Sequence, residues 1–143
     1  MKSKIYEFDP VIYPFQILIS RDWDVKELID RFYEICEGDV LAECAEDTFV
    51  PNRCTTARSL HLCEKTTKRV FYMILIMQPK IVKYGIITHE SFHIANAYLQ
   101  YLGLSAPKAW DDEAYAYFGG WLASCIWATR NNEPEKMNGV LFK

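Results

Sequence analysis

The chain lacks a long hydrophobic run, an excess of basic residues and a secretory signal. Its most apolar stretch, Phe71–Met77, has seven residues, whereas a helix that spans a bilayer needs about 20. The 16 Lys and Arg are outnumbered by 19 Asp and Glu, for a net charge of −3, so nothing favours binding to nucleic acid or to an anionic membrane. The first ten residues contain no apolar segment of the signal type. We therefore expect a soluble, cytoplasmic protein.

The chain also lacks closely spaced cysteine pairs, which argues against one kind of metal site. The five cysteines include no Cys-x-x-Cys pair, so a zinc ribbon or knuckle is not expected. In a reducing compartment they are predicted to be free and mostly buried thiols. They are Cys36, Cys44, Cys54, Cys63 and Cys125. If the protein binds a metal, histidines must bind it.

Apolar and aromatic residues, in contrast, are abundant. Of the 143 residues, 50% are hydrophobic and 15% aromatic, a composition that disordered chains do not have. A chain of this length suits one domain that buries about two-thirds of its unfolded surface. We expect residues 1–130 to form that single domain. The polar segment after Thr129 predicts a flexible C-terminal tail over 131–143.

Hydrophobic periodicity predicts an α+β fold with a small, mostly antiparallel sheet. Alternating apolar residues predict a strand over Val11–Ile19. A helical period then predicts a packing helix from an N-cap at Asp24 to a left-handed cap at Gly38. Two further apolar runs, Thr55–Cys63 and Arg69–Met77, predict a hairpin whose second strand lies inside the sheet.

Two helices are predicted in the C-terminal part of the chain. The first runs from Pro79 to Leu102 and is apolar over most of its circumference, so we expect it to be buried. The second begins at Asp111 and extends to Ala128. Gly119 and Gly120 inside it each cost about 1 kcal/mol relative to alanine. We expect close approach of the two helices to compensate for this cost.

The chain has only three histidines, and two of them lie four residues apart on the first of these helices. Residues at this spacing share a face, with Cβ atoms about 5–6 Å apart, so His89 and His93 can bind one ion. Together with Glu90 they form His-Glu-x-x-His, in which the glutamate acts as general base toward a metal-activated water. The alternative is a chance match, with two hydrogen-bonded core histidines and Glu90 paired to an arginine or lysine.

A catalytic zinc ion takes three protein ligands and keeps one position open. One branch of proteins with this motif places a third histidine six residues after the second, where this chain has Leu99, so that branch is excluded. The other branch takes a carboxylate from the next helix. Glu113, 20 residues after His93, is the candidate, and Asp112 is the alternative. His61 in the predicted hairpin is a further alternative.

The segment Ile87-Thr-His-Glu-Ser-Phe-His-Ile-Ala-Asn96, followed by Asp112-Glu-Ala-Tyr-Ala-Tyr-Phe-Gly-Gly-Trp-Leu122, resembles small zincin-like proteins of phages and prophages. It is more distantly similar to the ImmA/IrrE-type metallopeptidases. The resemblance covers residues 80–125, and the earlier elements match only in their order. It implies a minimal zincin-like fold with a gluzincin arrangement, in which Glu90 is the base. The implied ligands of Zn²⁺ are His89, His93 and Glu113.

The chemistry implied is zinc-dependent hydrolysis of a peptide bond in a peptide or protein substrate. Zinc lowers the pKa of its bound water to about 7, and Glu90 passes the proton of that water to the leaving amine. Tyr115, Tyr117 and Arg58 are the candidates for a second donor to the developing oxyanion. Thr55–Cys63 is the candidate sheet edge, along which a substrate can add as an extra strand.

Two other functions stay open at this point. The same fold without turnover would be a metal-stabilised or metal-free binding protein, such as a phage accessory or regulatory protein. The short chain, with little length left for a substrate cleft, favours this alternative. A thiol nucleophile at Cys125 is disfavoured, because an apolar helix disfavours the thiolate. The sequence predicts neither the substrate nor the oligomeric state.

Overall fold

A computed structural model describes residues 2–11, 15–50, 55–101 and 113–142. These ranges form one mixed sheet of seven strands together with four α-helices. In chain order the elements are β1 (Lys4–Phe8), β2 (Gln16–Asp22), α1 (Val25–Arg31), β3 (Phe32–Cys36), β4 (Val40–Glu43), α2 (Glu46–Phe49), β5 (Ala57–Glu64), β6 (Val70–Ile76), α3 (Tyr84–Tyr101), α4 (Glu113–Arg130) and β7 (Val140–Phe142). The predicted α+β class is confirmed. Within these ranges, no helix has the length and apolar character needed to cross a membrane.

The strand order across the sheet is β4-β3-β5-β6-β2-β1-β7. Strands β2 and β6 run parallel, in a register that pairs Ile17 with Tyr72 and Ile19 with Ile74. The remaining neighbours in this order are antiparallel. The predicted hairpin is confirmed as β5 and β6, and β6 lies inside the sheet as expected.

Helices cover both faces of the sheet. Helices α3 and α4 pack on the face to which Ile17, Ile19 and Ile74 point. Helix α1 packs on the opposite face, in a second core that contains Leu18 and Met73. Strands with both faces covered carry nearly continuous apolar runs, which is why β6 was recognisable in the sequence.

Helix α1 begins where the sequence predicts but ends much earlier. The backbone N–H of Glu27 donates to the Asp24 carboxylate at 3.0 Å, so the N-cap is confirmed. The helix ends at Arg31, and the residues that follow form β3. The predicted helix end at Gly38 is wrong, because β3 pairs with β4 in a hairpin and with the distant β5, and this pairing overrides the helical period. Gly38 does adopt a left-handed conformation, with φ 74°, but in the turn between β3 and β4.

The predicted C-terminal tail contains regular structure over residues 131–142. They form a turn, a short 3₁₀ helix at Pro134–Met137 and β7, which pairs with β1. The ring of Phe142 lies 5.4 Å from that of Phe71 and 4.7 Å from the Arg31 guanidinium carbon. Three apolar residues, Val140–Phe142, follow the polar part of this segment and extend the sheet.

Gly119 and Gly120 in α4 do not mark a close helix approach. A Cβ built on either residue meets no atom within 4 Å among the described residues. The expected packing of these glycines against α3 is therefore wrong. Both remain conformationally costly positions in the middle of a helix.

Gly120→Ala is therefore expected to raise the free energy of unfolding by about 0.5–1 kcal/mol. Urea denaturation followed by circular dichroism measures the change. Gly139→Ala is the control, because a Cβ at that residue would lie 2.6 Å from the Phe8 ring. The control variant should be destabilised. A destabilised Gly120→Ala would contradict the prediction.

Candidate functional site

The histidine motif lies on a side of α3 that is open to solvent. Ile87, Glu90 and Ile94 are buried, whereas His89 and His93 are exposed. The prediction of a helix buried over most of its circumference is wrong on this side. Because the two histidines reach solvent, their imidazoles do not require partners from the core.

The two imidazoles approach each other closely. Their Nε2 atoms are 3.0 Å apart, with ring centroids at 4.5 Å and ring planes at 82°. Two nitrogens on one tetrahedral zinc ion, each bound at about 2.0–2.1 Å, would be about 3.3–3.4 Å apart. The pair therefore fits a shared metal ion with a shift of a few tenths of an ångström. The same distance fits a hydrogen bond between two imidazoles.

Glu90, which follows His89 in the chain, is buried, with 6% of its surface exposed. The Ser59 hydroxyl donates a hydrogen bond to its Oε2. Among the described residues Glu90 forms no ion pair with an arginine or lysine, in contrast to the chance-match hypothesis. Burying a carboxylate without a cation is unfavourable, so fold stability alone does not account for a glutamate here.

Glu90 and His93 open onto one cavity of about 370 Å³ between α3 and β5. Its remaining lining comes from Ala57, Arg58, Ser59, Leu60, His61, Tyr72, Ile94 and Ala97. The pairing of β3 with β5 stops at Leu62. Over Ala57–His61, β5 therefore has β6 on one side and, in the part of the chain described, no strand on the other. The predicted sheet edge is confirmed for this half of β5 only.

The predicted third ligand falls at the limit of what the structure describes. Asp112 and the side chain of Glu113 lie outside the described residues, although the backbone of α4 begins at Glu113. The Tyr115 ring lies 5.9 Å from that of Phe92, so the start of α4 is beside the motif. Within the described ranges, no group of three His, Cys, Asp or Glu could hold a metal. The carboxylate ligand therefore stays a prediction.

Helical spacing places Glu113 on the same face of α4 as Ala116, Tyr117 and Gly120. Ala116, Tyr117 and Gly120 are exposed, whereas Phe118 and Leu122 pack in the core. The sequence could not distinguish these faces, because α4 is apolar around most of its circumference.

The surroundings of His61 were not predicted from the sequence. Its ring stacks on Tyr72, with centroids 4.4 Å apart and planes at 10°. Its Nε2 is buried and has no hydrogen-bond partner among the described residues, a condition that costs about 1–3 kcal/mol. Burial lowers the pKa of His61, and the charge of Asp39 partly opposes this shift. The overlooked signal was strand alternation, because His61 and Ser59 are two residues apart and share a face.

Each of the three predicted oxyanion donors is either exposed or directed to a backbone carbonyl. Tyr117 is 76% exposed, and the Tyr115 hydroxyl points to the carbonyl oxygen of Phe92, at 3.5 Å. Arg58 lines the cavity, but its guanidinium donates to the carbonyl of Asp47 at 3.1 Å.

The described cysteines are free thiols. Cys44, Cys63 and Cys125 are buried and Cys36 is exposed, as expected for a mostly buried set; Cys54 lies outside the described residues. Burial raises the pKa of Cys125 to about 12, so its thiolate is scarce at neutral pH. A thiol nucleophile at this residue is not supported.

Comparison of the chain with family models, with curated proteins and with solved structures found no match.

Proposed function

We propose that the protein is a zinc-dependent metallopeptidase with Glu90 as its general base. The observation that carries this proposal is the convergence of the His89 and His93 Nε2 atoms, 3.0 Å apart, next to a buried glutamate on a cavity. Two histidines four residues apart on a helix, with a glutamate directly after the first, are the arrangement in which zinc hydrolases bind the metal and hold the general base. The α+β fold is, in this proposal, a minimal zincin-like fold.

Each side chain then has a separate task. His89 and His93 would hold the metal, and Glu113 or Asp112 would complete its ligands. The Lewis acidity of a bound zinc ion would polarise a carbonyl and make water nucleophilic near neutral pH. Glu90 accepts a proton from the attacking water at its carboxylate and delivers it to the nitrogen of the leaving amine. The Ser59 hydroxyl holds that carboxylate at the wall of the cavity.

The edge of β5 at Ala57–His61 suggests how a peptide is bound. An extended segment can add to the Ala57–His61 edge through backbone hydrogen bonds, with alternate side chains reaching the cavity. This mode of binding selects unfolded or extended polypeptide over folded protein. The proposed substrate is therefore an exposed loop or terminus of a protein, or a free peptide.

A second candidate is a binding protein that keeps the metal site, or only the fold, without turnover. It is favoured by the His89–His93 distance, which fits a direct hydrogen bond as well as a shared ion. An accessory or regulatory protein of a phage or prophage is the form of this candidate that the sequence resemblance implies.

Metal analysis tests the proposal. The purified protein is expected to carry near one zinc ion per chain, and both His89→Ala and His93→Ala are expected to lose it, because each removes one nitrogen ligand. Thr88→Ala is the matched control, since Thr88 is exposed on the same helix turn and only donates to the Tyr84 carbonyl. Chelation should abolish cleavage of a peptide library, and added zinc should restore it. Absence of metal at any zinc concentration would rule out the proposed site.

A further inference from the structure

The edge of β5 at Ala57–His61 carries a positive charge. Arg58 is the only lysine or arginine in this segment, and in the part of the chain described no strand pairs with the edge on this side. Among the described residues, the Arg58 guanidinium forms no ion pair with an aspartate or glutamate. A peptide that adds to this edge therefore meets an arginine whose charge is not neutralised by such a contact.

Arg58 lies on the face of the sheet opposite to the histidine motif. Successive residues of a strand point to opposite faces. Ala57 belongs to the core under α3 and α4, whereas Leu60 belongs to the core under α1, so Arg58 shares the face of Leu60. The contact of its guanidinium with the carbonyl oxygen of Asp47 in α2, at 3.1 Å, agrees with this orientation, because Phe49 of the same helix packs in the second core.

The contact with Asp47 positions the guanidinium and leaves it donors for a ligand. Only Nη1 donates to that carbonyl oxygen, and a guanidinium has further N–H groups that can bind both oxygens of a carboxylate. Helix α2 also carries two exposed carboxylates, on Glu46 and Asp47. Neither forms an ion pair with Arg58, but both lower the positive potential near it. We therefore expect a moderate preference for an anion at this position.

A peptide bound as an added strand would place one of its side chains beside Arg58. Residues directly opposite each other on paired strands point to the same face, with Cβ atoms about 4.5–5.5 Å apart. Opposite charges in such a pair are stabilising, and like charges are destabilising. The residues before and after this one point to the other face of the sheet, where Ser59 donates to Glu90.

We propose that Arg58 is a specificity-determining residue that selects extended peptides with an aspartate or glutamate opposite it. The guanidinium binds the carboxylate of that residue and takes no part in breaking the peptide bond. The neighbouring residues of the peptide reach toward the cavity that Glu90 lines. This inference rests on the proposed peptidase function. It narrows the proposed substrate to an exposed loop, terminus or free peptide with an acidic residue at a fixed distance from the cleaved bond.

Cleavage of a random peptide library tests the preference. Aspartate and glutamate are expected to be favoured over lysine and arginine by about fivefold in kcat/KM at one position relative to the cut. Arg58→Gln, whose amide can still donate to the Asp47 carbonyl oxygen, should lose this preference. Arg58→Glu should reverse it at the same position. An unchanged preference in Arg58→Glu would overturn the proposal.

Arg69→Glu is the matched control for the charge reversal. Arg69 is also an exposed arginine, and it pairs with Glu7 at 3.0 Å. It lies at the turn of the β5–β6 hairpin, whereas Arg58 lies near the other end of β5. The control should keep the preference for acidic residues. Circular dichroism of all variants confirms that they fold.

Binding tests the same preference without turnover. The probes are short peptides of alternating serine and valine with glutamate, glutamine or lysine at the centre, added to the zinc-loaded Glu90→Gln variant. The glutamate peptide is expected to bind about fivefold more tightly than the lysine peptide and to shift the backbone amide resonances of Ala57–His61. Adding Arg58→Glu should reverse the order, and salt should reduce the difference. A glutamate peptide with alternate backbone nitrogens methylated should not bind, because it lacks donors for the strand.

The two experiments separate this inference from the peptidase proposal. Cleavage without a charge preference would overturn the role of Arg58 and leave the peptidase proposal standing. Charge-dependent binding without cleavage at any zinc concentration would contradict the peptidase, and Arg58 would then select the ligand of a binding protein. Equal affinity for the glutamate and lysine peptides, or neither binding nor cleavage, would overturn the role of Arg58.

Discussion

Glu90→Gln is expected to abolish peptide hydrolysis and to leave the zinc content unchanged. Glutamine has the shape of glutamate, and its amide oxygen can still accept the hydrogen bond from Ser59. It cannot take a proton from water, and loss of a general base lowers rates by about 10²–10⁴-fold. Initial rates on library peptides, measured by mass spectrometry alongside metal analysis, give both quantities.

Glu133→Gln is the matched control for that experiment. Glu133 also lines a cavity, but one between α3 and α4 that includes Tyr84 and Trp127. Its carboxylate pairs with Lys136 at 2.8 Å, away from the histidines. The control should retain both activity and zinc. A Glu90→Gln variant that remained active would favour the binding protein, and one that lost zinc would make Glu90 a ligand.

Phe71→Ala is expected to lower the free energy of unfolding by about 3–5 kcal/mol. Phe71 lies in β6 with 0% of its surface exposed. Its ring contacts those of Phe32, at 6.3 Å, and Phe142, at 5.4 Å, so truncation leaves a cavity between β3, β6 and β7. Such a loss is a large part of a typical total of about 5–15 kcal/mol.

Phe92→Ala is the control for Phe71→Ala, because it makes the same truncation at a phenylalanine that is 57% exposed. Its effect should be within about 0.5 kcal/mol, as for most surface substitutions. Urea denaturation of both variants, with zinc held constant, measures the difference. Equal destabilisation of the two would show that the second core does not depend on Phe71.

The parts of the fold that the sequence predicts are those encoded by neighbouring residues. The N-cap at Asp24 is a local hydrogen bond, and the apolar run of β6 reflects burial on both faces. The end of α1 was missed because the residues of β3 continue the helical period, and their pairing with the distant β5 is not encoded by neighbouring residues. Strand β7 was missed for the same reason, since it depends on β1.

The candidate site, too, was predictable only where it depends on residues close together in the sequence. His89, Glu90 and His93 follow from helix geometry, because the positions of residues on one helix are set by their spacing. The contribution of β5 required the tertiary structure, since neither Ser59 nor His61 lies near the motif in sequence. The apolar pattern predicts a second helix, but it does not decide which face of that helix turns toward the histidines.

The pairing of β1 with β7 also constrains the order in which the chain can fold. The edge of β1 at residues 4–8 is unpaired until residues 140–142 add to it as β7. During synthesis, this edge of β1 therefore has unpaired backbone groups, which other nascent chains can contact, until residues 140–142 have been made. Completion of this edge depends on a contact of very high sequence separation, which is slow to form. If a ribosome stalls before residue 140, β1 remains an unpaired edge strand, to which other chains can bind.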